Sequence, residues 1–177
     1  MALGLSVFLL AALGFVLAKA IGGDDEQKQE GGTTTVQGPS SAPFKVDLPP
    51  GWRALRSEEL ATLPGRPLGV LRRNDGKGFV VIRREGPAAR DFTKLSRELD
   101  SELGRRLKDF KRQSARTVKV RSGRAFFYSY VRERRGTVHS IVIVPAGGRS
   151  FALNTVAQGG ENAVAREIGR IVVSFDL

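Results

Sequence analysis

The stretch whose reading decides the fold is Arg124-Ala-Phe-Phe-Tyr-Ser-Tyr-Val131, then Thr137-Val-His-Ser-Ile-Val-Ile-Val-Pro145, then Arg149-Ser-Phe-Ala-Leu-Asn-Thr-Val-Ala157. Three runs of β-branched and aromatic residues are separated by Glu133-Arg-Arg-Gly136 and by Gly147-Gly148. Turns this short join only strands that reverse direction, so the runs predict an antiparallel meander.

Working outward, Leu68-Gly-Val-Leu-Arg72 and Gly78-Phe-Val-Val-Ile-Arg83 flank Asn74-Asp-Gly-Lys77, a hairpin turn. Phe44-Lys-Val-Asp-Leu48 alternates as a strand does, and Pro49-Pro-Gly51 ends it just before Trp52, the sole tryptophan. Asp91 is placed to cap a helix. After it Phe92, Leu95, Leu99, Leu103, Leu107 and Phe110 recur every three or four residues, predicting an amphipathic helix of about five turns. Its charged face carries Glu102 and Arg106, a favourable i,i+4 pair. Arg112 to Val120 reads as a strand and Ser122-Gly123 as a turn. Past Gly159-Gly160, a helix is expected from Glu161 to about Val172, with Val173 to Phe175 as an extended tail. Strands and helices cluster rather than alternate, so the fold class is α+β: a twisted antiparallel sheet with a β-meander, covered by a long amphipathic helix and a C-terminal helix.

The N-terminal segment is different in kind. Ala2 to Ala18 holds no charge. As a helix, residues 2–21 would span about 30 Å, the thickness of a bilayer core. Residues 1–21 therefore read as a single transmembrane anchor. Ala18-Lys19-Ala20 also fits a small-x-small cleavage site, so a signal peptide remains the alternative. Residues 22–43 read as a flexible polar linker with almost nothing to bury, reaching roughly 25 Å. The folded domain is then 44–177. Lys19 and Lys28 alone would favour a cytoplasmic body, whereas linker composition and domain type favour an extracytoplasmic one at the cell membrane.

Cysteine is absent, which excludes disulfides, thiolate nucleophiles and Cys-based zinc sites. Stability must come from a core, and a domain of this length buries about two thirds of its unfolded surface. His139, the only histidine, shares a strand face with Thr137, Ile141 and Ile143 and reads as a sheet residue. Ser129 and Ser140 sit in no Gly-x-Ser-x-Gly elbow, and no carboxylate pair has a glycosidase or two-metal spacing. No catalytic residue, metal site or cofactor is expected.

Two features carry candidate binding roles. Phe126, Tyr128 and Tyr130 alternate on one strand face, and with Trp52 they would line a groove between sheet and helix able to take an apolar ligand or lipid. The charge is the second. From Phe44 onward the chain holds 27 basic against 14 acidic residues, and arginine outnumbers lysine 21 to 8 over the whole chain. Arg132, Arg134 and Arg135 form a candidate anion-binding cluster. An anionic lipid or a wall polymer would suit it; nucleic acid is not expected. An Arg-rich, Lys-poor chain is also what a GC-rich genome encodes.

Leu48-Pro49-x-Gly51-Trp52 closing a first strand, a mid-chain amphipathic helix, a meander and a C-terminal helix ending in Ser174-Phe175 together resemble the PsbP-like superfamily. That group includes the PsbP proteins of photosystem II, a Ran-binding nuclear import factor, and bacterial envelope lipoproteins of the LpqN and DcrB kinds. The resemblance covers roughly Phe44 to Leu177. It implies an α-β-α sandwich and a domain that binds partners rather than turning over substrates. Without cysteine the chain departs from the lipoprotein members, and with one histidine it inherits no metal site. The expectation is a membrane-tethered, non-enzymatic envelope domain that binds a protein partner or an anionic component, with its oligomeric state left open.

Overall fold

The computed structural model describes residues 32–87, 91–158 and 162–177. The apolar run at 1–21 and the linker as far as residue 31 lie outside the described residues, as do Gly159, Gly160 and Glu161. Among the described residues no helix is long and apolar enough to cross a membrane.

The elements in chain order are β1 (Thr34–Gln37), β2 (Lys45–Leu48), β3 (Trp52–Ala54), α1 (Ser57–Ala61), β4 (Gly69–Arg73), β5 (Gly78–Glu85), α2 (Phe92–Arg106), β6 (Phe110–Val120), β7 (Gly123–Arg132), β8 (Thr137–Ala146), β9 (Arg149–Gln158) and α3 (Asn162–Ser174). Seven strands form one sheet in the order β3-β4-β5-β9-β8-β7-β6. Every neighbouring pair in it is antiparallel. The meander supplies β7, β8 and β9 as expected. Ala146 faces Arg149 across Gly147 and Gly148, whose φ angles are 48° and 82°. Both central residues of this two-residue turn are left-handed, a conformation that matches strand twist and that glycine adopts without strain.

Alternation along the strands sends side chains to two cores. One face packs Val80, Ile82, Val142, Leu153 and Trp52 against Val164, Ile168, Ile171 and Val172 of α3. The β1–β2 hairpin closes the same face through Val46 and Leu48. On the other face α2 lays Leu95, Leu99 and Leu103 over β7 and β8, while Leu55, Leu60 and Leu63 around α1 cover Val70, Phe79 and Val81. The result is helices on both faces of an antiparallel sheet, the sandwich that the resemblance implied.

Several boundaries differ from the sequence reading. Asp91 caps α2, its carboxylate accepting from the Lys94 amide at 2.9 Å, but the helix stops at Arg106. Leu107 turns extended, and Phe110 opens β6 opposite Arg132, its ring 5.5 Å from that of Tyr130. A helical stripe and a strand start are alike over one residue, and the aromatic partner decides between them. α3 runs on to Ser174, whose hydroxyl donates to the Ile171 carbonyl at 2.8 Å. Within the stretch read as linker, Thr34–Gln37 pairs with β2, and the Thr35 hydroxyl donates to Asp47 at 2.8 Å. The β-branched Thr33-Thr34-Thr35-Val36 was the signal there, hidden by a polar average. α1 was not expected either. It is a five-residue helix whose Glu59 accepts from the Arg56 amide at 2.7 Å.

Candidate functional site

The aromatic row sits beneath α2. Phe126, Tyr128 and Tyr130 are at most 2% exposed, roofed by Leu95, Leu99, Leu103 and Leu107. Phe92 stacks on Phe126 at 5.2 Å, and Phe110 closes the opposite end on Tyr130. The Tyr128 hydroxyl donates to Asp100 at 2.6 Å. Burial first, then that carboxylate, raise its pKa beyond the tyrosine range. Trp52 does not border this row. It lies on the opposite face of the sheet, fully buried, and its indole N–H donates to Glu167 of α3 at 2.8 Å. The four aromatics belong to two separate cores.

Where β7 turns into β8, a polar cluster is tucked under the loop after α2. Arg132 donates to Asp109 at 2.6 Å, with side chains only 12% and 5% exposed. Burial would raise the Asp109 pKa, but the Arg132 hydrogen bond and charge outweigh it and hold the carboxyl below its usual range. His139 stacks flat on Tyr130 at 4.9 Å and is 8% exposed. Burial, reinforced by the charges of Arg132 and Arg135 and opposed by Asp109, pushes its pKa down to about 4. Burial and the Asp109 charge raise Tyr130 to about 12, against the pull of Arg132.

The Thr137 hydroxyl lies 2.9 Å from His139 Nε2, a hydroxyl–imidazole pair that invites a hydrolytic reading. The geometry does not complete it. His139 Nδ1 is buried with no hydrogen-bond partner, so no carboxylate orients the ring, and an imidazole titrating near 4 is a weak base at neutral pH. Asp109 Oδ2 is likewise buried and unpartnered. Among the described residues no group of three His, Cys, Asp or Glu could hold a metal ion.

The candidate anion cluster divides. Arg132 is turned inward onto Asp109, while Arg134 and Arg135 project from the short 3₁₀ turn at Glu133–Arg135 and are exposed. The stronger basic surface is one that the clusters in sequence did not single out. From Phe110 to Arg132 there is no acidic residue, and this span builds β6 and β7. Carboxylates from elsewhere reach some of its cations: Asp100 pairs with Arg112 at 2.7 Å, Asp47 with Arg121 at 2.8 Å and Glu133 with Lys111 at 3.3 Å. No acid reaches Arg116, Lys119 or Arg124 among the described residues. Arg116 lies 5.4 Å over the Phe127 ring, and Lys119 stands directly across the ladder from Arg124. Like charges in that position repel. The missing acids, rather than any basic cluster, were the signal.

No protein-family model matches the chain. No curated protein matches it in sequence. Solved structures do match in shape. The cyanobacterial PsbP (CyanoP) of Synechocystis sp. PCC 6803 superposes with a TM-score of 0.58 at 11% identity, over 88% of this chain and 98% of its own. The fold is PsbP-like. Two further structures share this PsbP-like fold. LpqN of Mycobacterium tuberculosis, involved in cell envelope biogenesis, matches with a TM-score of 0.51 at 16% identity, over 85% of this chain and 86% of its own. The Ran-binding protein Mog1p of Saccharomyces cerevisiae matches with a TM-score of 0.56 at 10% identity, over 82% and 95%. At such identities a PsbP-like architecture is common to all four chains while their surfaces are free to differ.

Proposed function

We propose that the protein is a non-enzymatic, envelope-associated domain that docks a protein partner through its basic β6–β7 surface. Residues 1–21 hold it at the membrane, with the folded body extracytoplasmic. The observation that carries this reading is the trio Arg116, Lys119 and Arg124, exposed cations that the fold leaves without acids at one edge of the sheet, Arg116 on one face and Lys119 and Arg124 on the other. Uncompensated like charge costs stability and is retained where a partner supplies the opposite sign. The similar folds add weight, since one is a Ran-binding protein and another is involved in cell envelope biogenesis.

The test is chemical cross-linking of the full chain in its own membranes. A stoichiometric adduct is expected for the natural sequence and not for the triple variant Arg116→Glu, Lys119→Glu, Arg124→Glu. Equal adducts from both, or none from either, overturn the reading. Co-sedimentation of both proteins with acidic vesicles, lost together at physiological salt, would point to anionic lipid instead of a protein partner. Protease added to intact cells should remove the body; protection would refute the outward orientation.

A further inference from the structure

The seven-stranded sheet has two edges that differ sharply. β3 is a three-residue edge, whereas β6 is eleven residues long and ends the sheet with no further strand beside it among the described residues. The middle of β6 is uncovered on both faces: Ala115 and Thr117 on the α2 side and Arg116 on the α3 side are all exposed, while Phe110 and Val120 at its ends pack into the two cores. A strand in this position presents unpaired backbone donors and acceptors to any chain able to pair with them.

The register says which groups those are. Val120 faces Gly123 across a two-residue turn, so these two residues exchange both of their ladder hydrogen bonds. Hydrogen-bonded pairs then alternate down the ladder through Val118, Arg116 and Ser114. The N–H and C=O groups of Lys119, Thr117 and Ala115 therefore point outward. Below them the register shifts between Arg112 and Ser114, and this bulge ends the regular edge.

The charge selects the occupant. A second copy pairing edge to edge would lay two strands that each carry Arg116 and Lys119 and no acid side by side, which like-charge repulsion opposes. An acidic strand meets the reverse situation. Side chains on one of its faces would reach Lys119 and Arg124, and those on the other would reach Arg116. The geometry points to strand addition: an extended acidic peptide segment of a partner pairs with Ala115–Lys119 as an eighth strand. This inference rests on the docking reading above and names the form the partner takes.

Thr117→Pro is the decisive variant. The Thr117 N–H points away from β7, so proline removes the outward donor without breaking the β6–β7 ladder. The probe is an octapeptide of alternating glutamate and valine, which offers carboxylates to one cation set in either orientation. Addition to the full chain should slow hydrogen exchange at the Ala115, Thr117 and Lys119 amides at least tenfold. Thr117→Pro should weaken peptide binding at least tenfold while β7 amide protection stays unchanged, and Lys119→Glu should weaken it similarly.

Four results would overturn strand addition. One is equal binding of the peptide by Thr117→Pro. Another is equal binding of a glutamate–proline octapeptide that cannot form a ladder. The third is concentration-dependent self-association of the natural protein that Thr117→Pro abolishes, which would make the occupant a second copy. If the peptide leaves β6 unprotected but the cross-linked adduct persists, strand addition falls and the docking reading survives; loss of both removes both.

Discussion

Arg132, read with Arg134 and Arg135 as an anion-binding cluster, alone turns inward, onto Asp109. A buried carboxylate tolerates its charge only while cations and hydrogen bonds compensate it, and here the Arg132 guanidinium supplies the largest share, with the Arg135 charge adding to it. Arg132→Leu should therefore destabilise the fold by about 3–5 kcal/mol, read from the urea midpoint, because it strands the Asp109 charge. Replacing both residues with leucine should recover part of that loss. His139 gives a second expectation. Its folded pKa of about 4 lies below the ordinary 6.5, so between those values the unfolded chain binds the proton that the folded chain refuses. Stability should fall as pH drops through this window, by about 2 kcal/mol between pH 7 and pH 5. Urea titrations at the two pH values check this, and His139→Phe should flatten the difference. Neither behaviour was legible in sequence. His139 was recognisable as a sheet residue from its alternation with Ile141 and Ile143, but the facing groups Arg132, Arg135, Tyr130 and Asp109 were not.

At the scale of elements, the packing of α3 on the sheet turns on a missing side chain. A Cβ at Gly78 would lie 2.7 Å from the Trp52 ring and 3.0 Å from Val164. Glycine thus lets β5, β3 and α3 meet, with Glu167 accepting from both Trp52 and Arg73 at 2.8 Å. Gly78→Ala should cost about 1–3 kcal/mol by overpacking. Thermal melts followed by the fluorescence of the single tryptophan would report the loss and the disturbed indole together. In the sequence Gly78 reads only as the first residue of a strand after a hairpin turn. The helix α2 was far more legible, because Asp91 and the leucine spacing are local signals. Its C-terminus was not, since Phe110 answers to Tyr130 across the sheet.

For the molecule as a whole, basic residues outnumber acidic ones by 13 from Phe44 onward, and Arg116, Lys119 and Arg124 are among the cations that no acid reaches among the described residues. Added salt weakens ion pairs and like-charge repulsion alike; with this excess the repulsion dominates. Raising monovalent salt from about 10 to 150 mM should lift the thermal midpoint by about 2–4 °C. A falling midpoint would mean that pairs such as Arg112–Asp100 and Arg121–Asp47 outweigh the net field.

By itself the sequence determined the local matters: the meander, the α2 stripe and its cap, the strands that alternate, and the basic excess. Each is a periodicity or a turn residue acting within a few positions. Tertiary structure alone decided that β5 pairs with β9, that Trp52 and the Phe126–Tyr130 row face opposite cores, that α2 seals that row, and that β6 ends the sheet among the described residues. Alternation tells a residue that it has a face, not which one. The choice is made by packing between segments far apart in the chain, where side-chain volume and charge meet partners that no local pattern encodes.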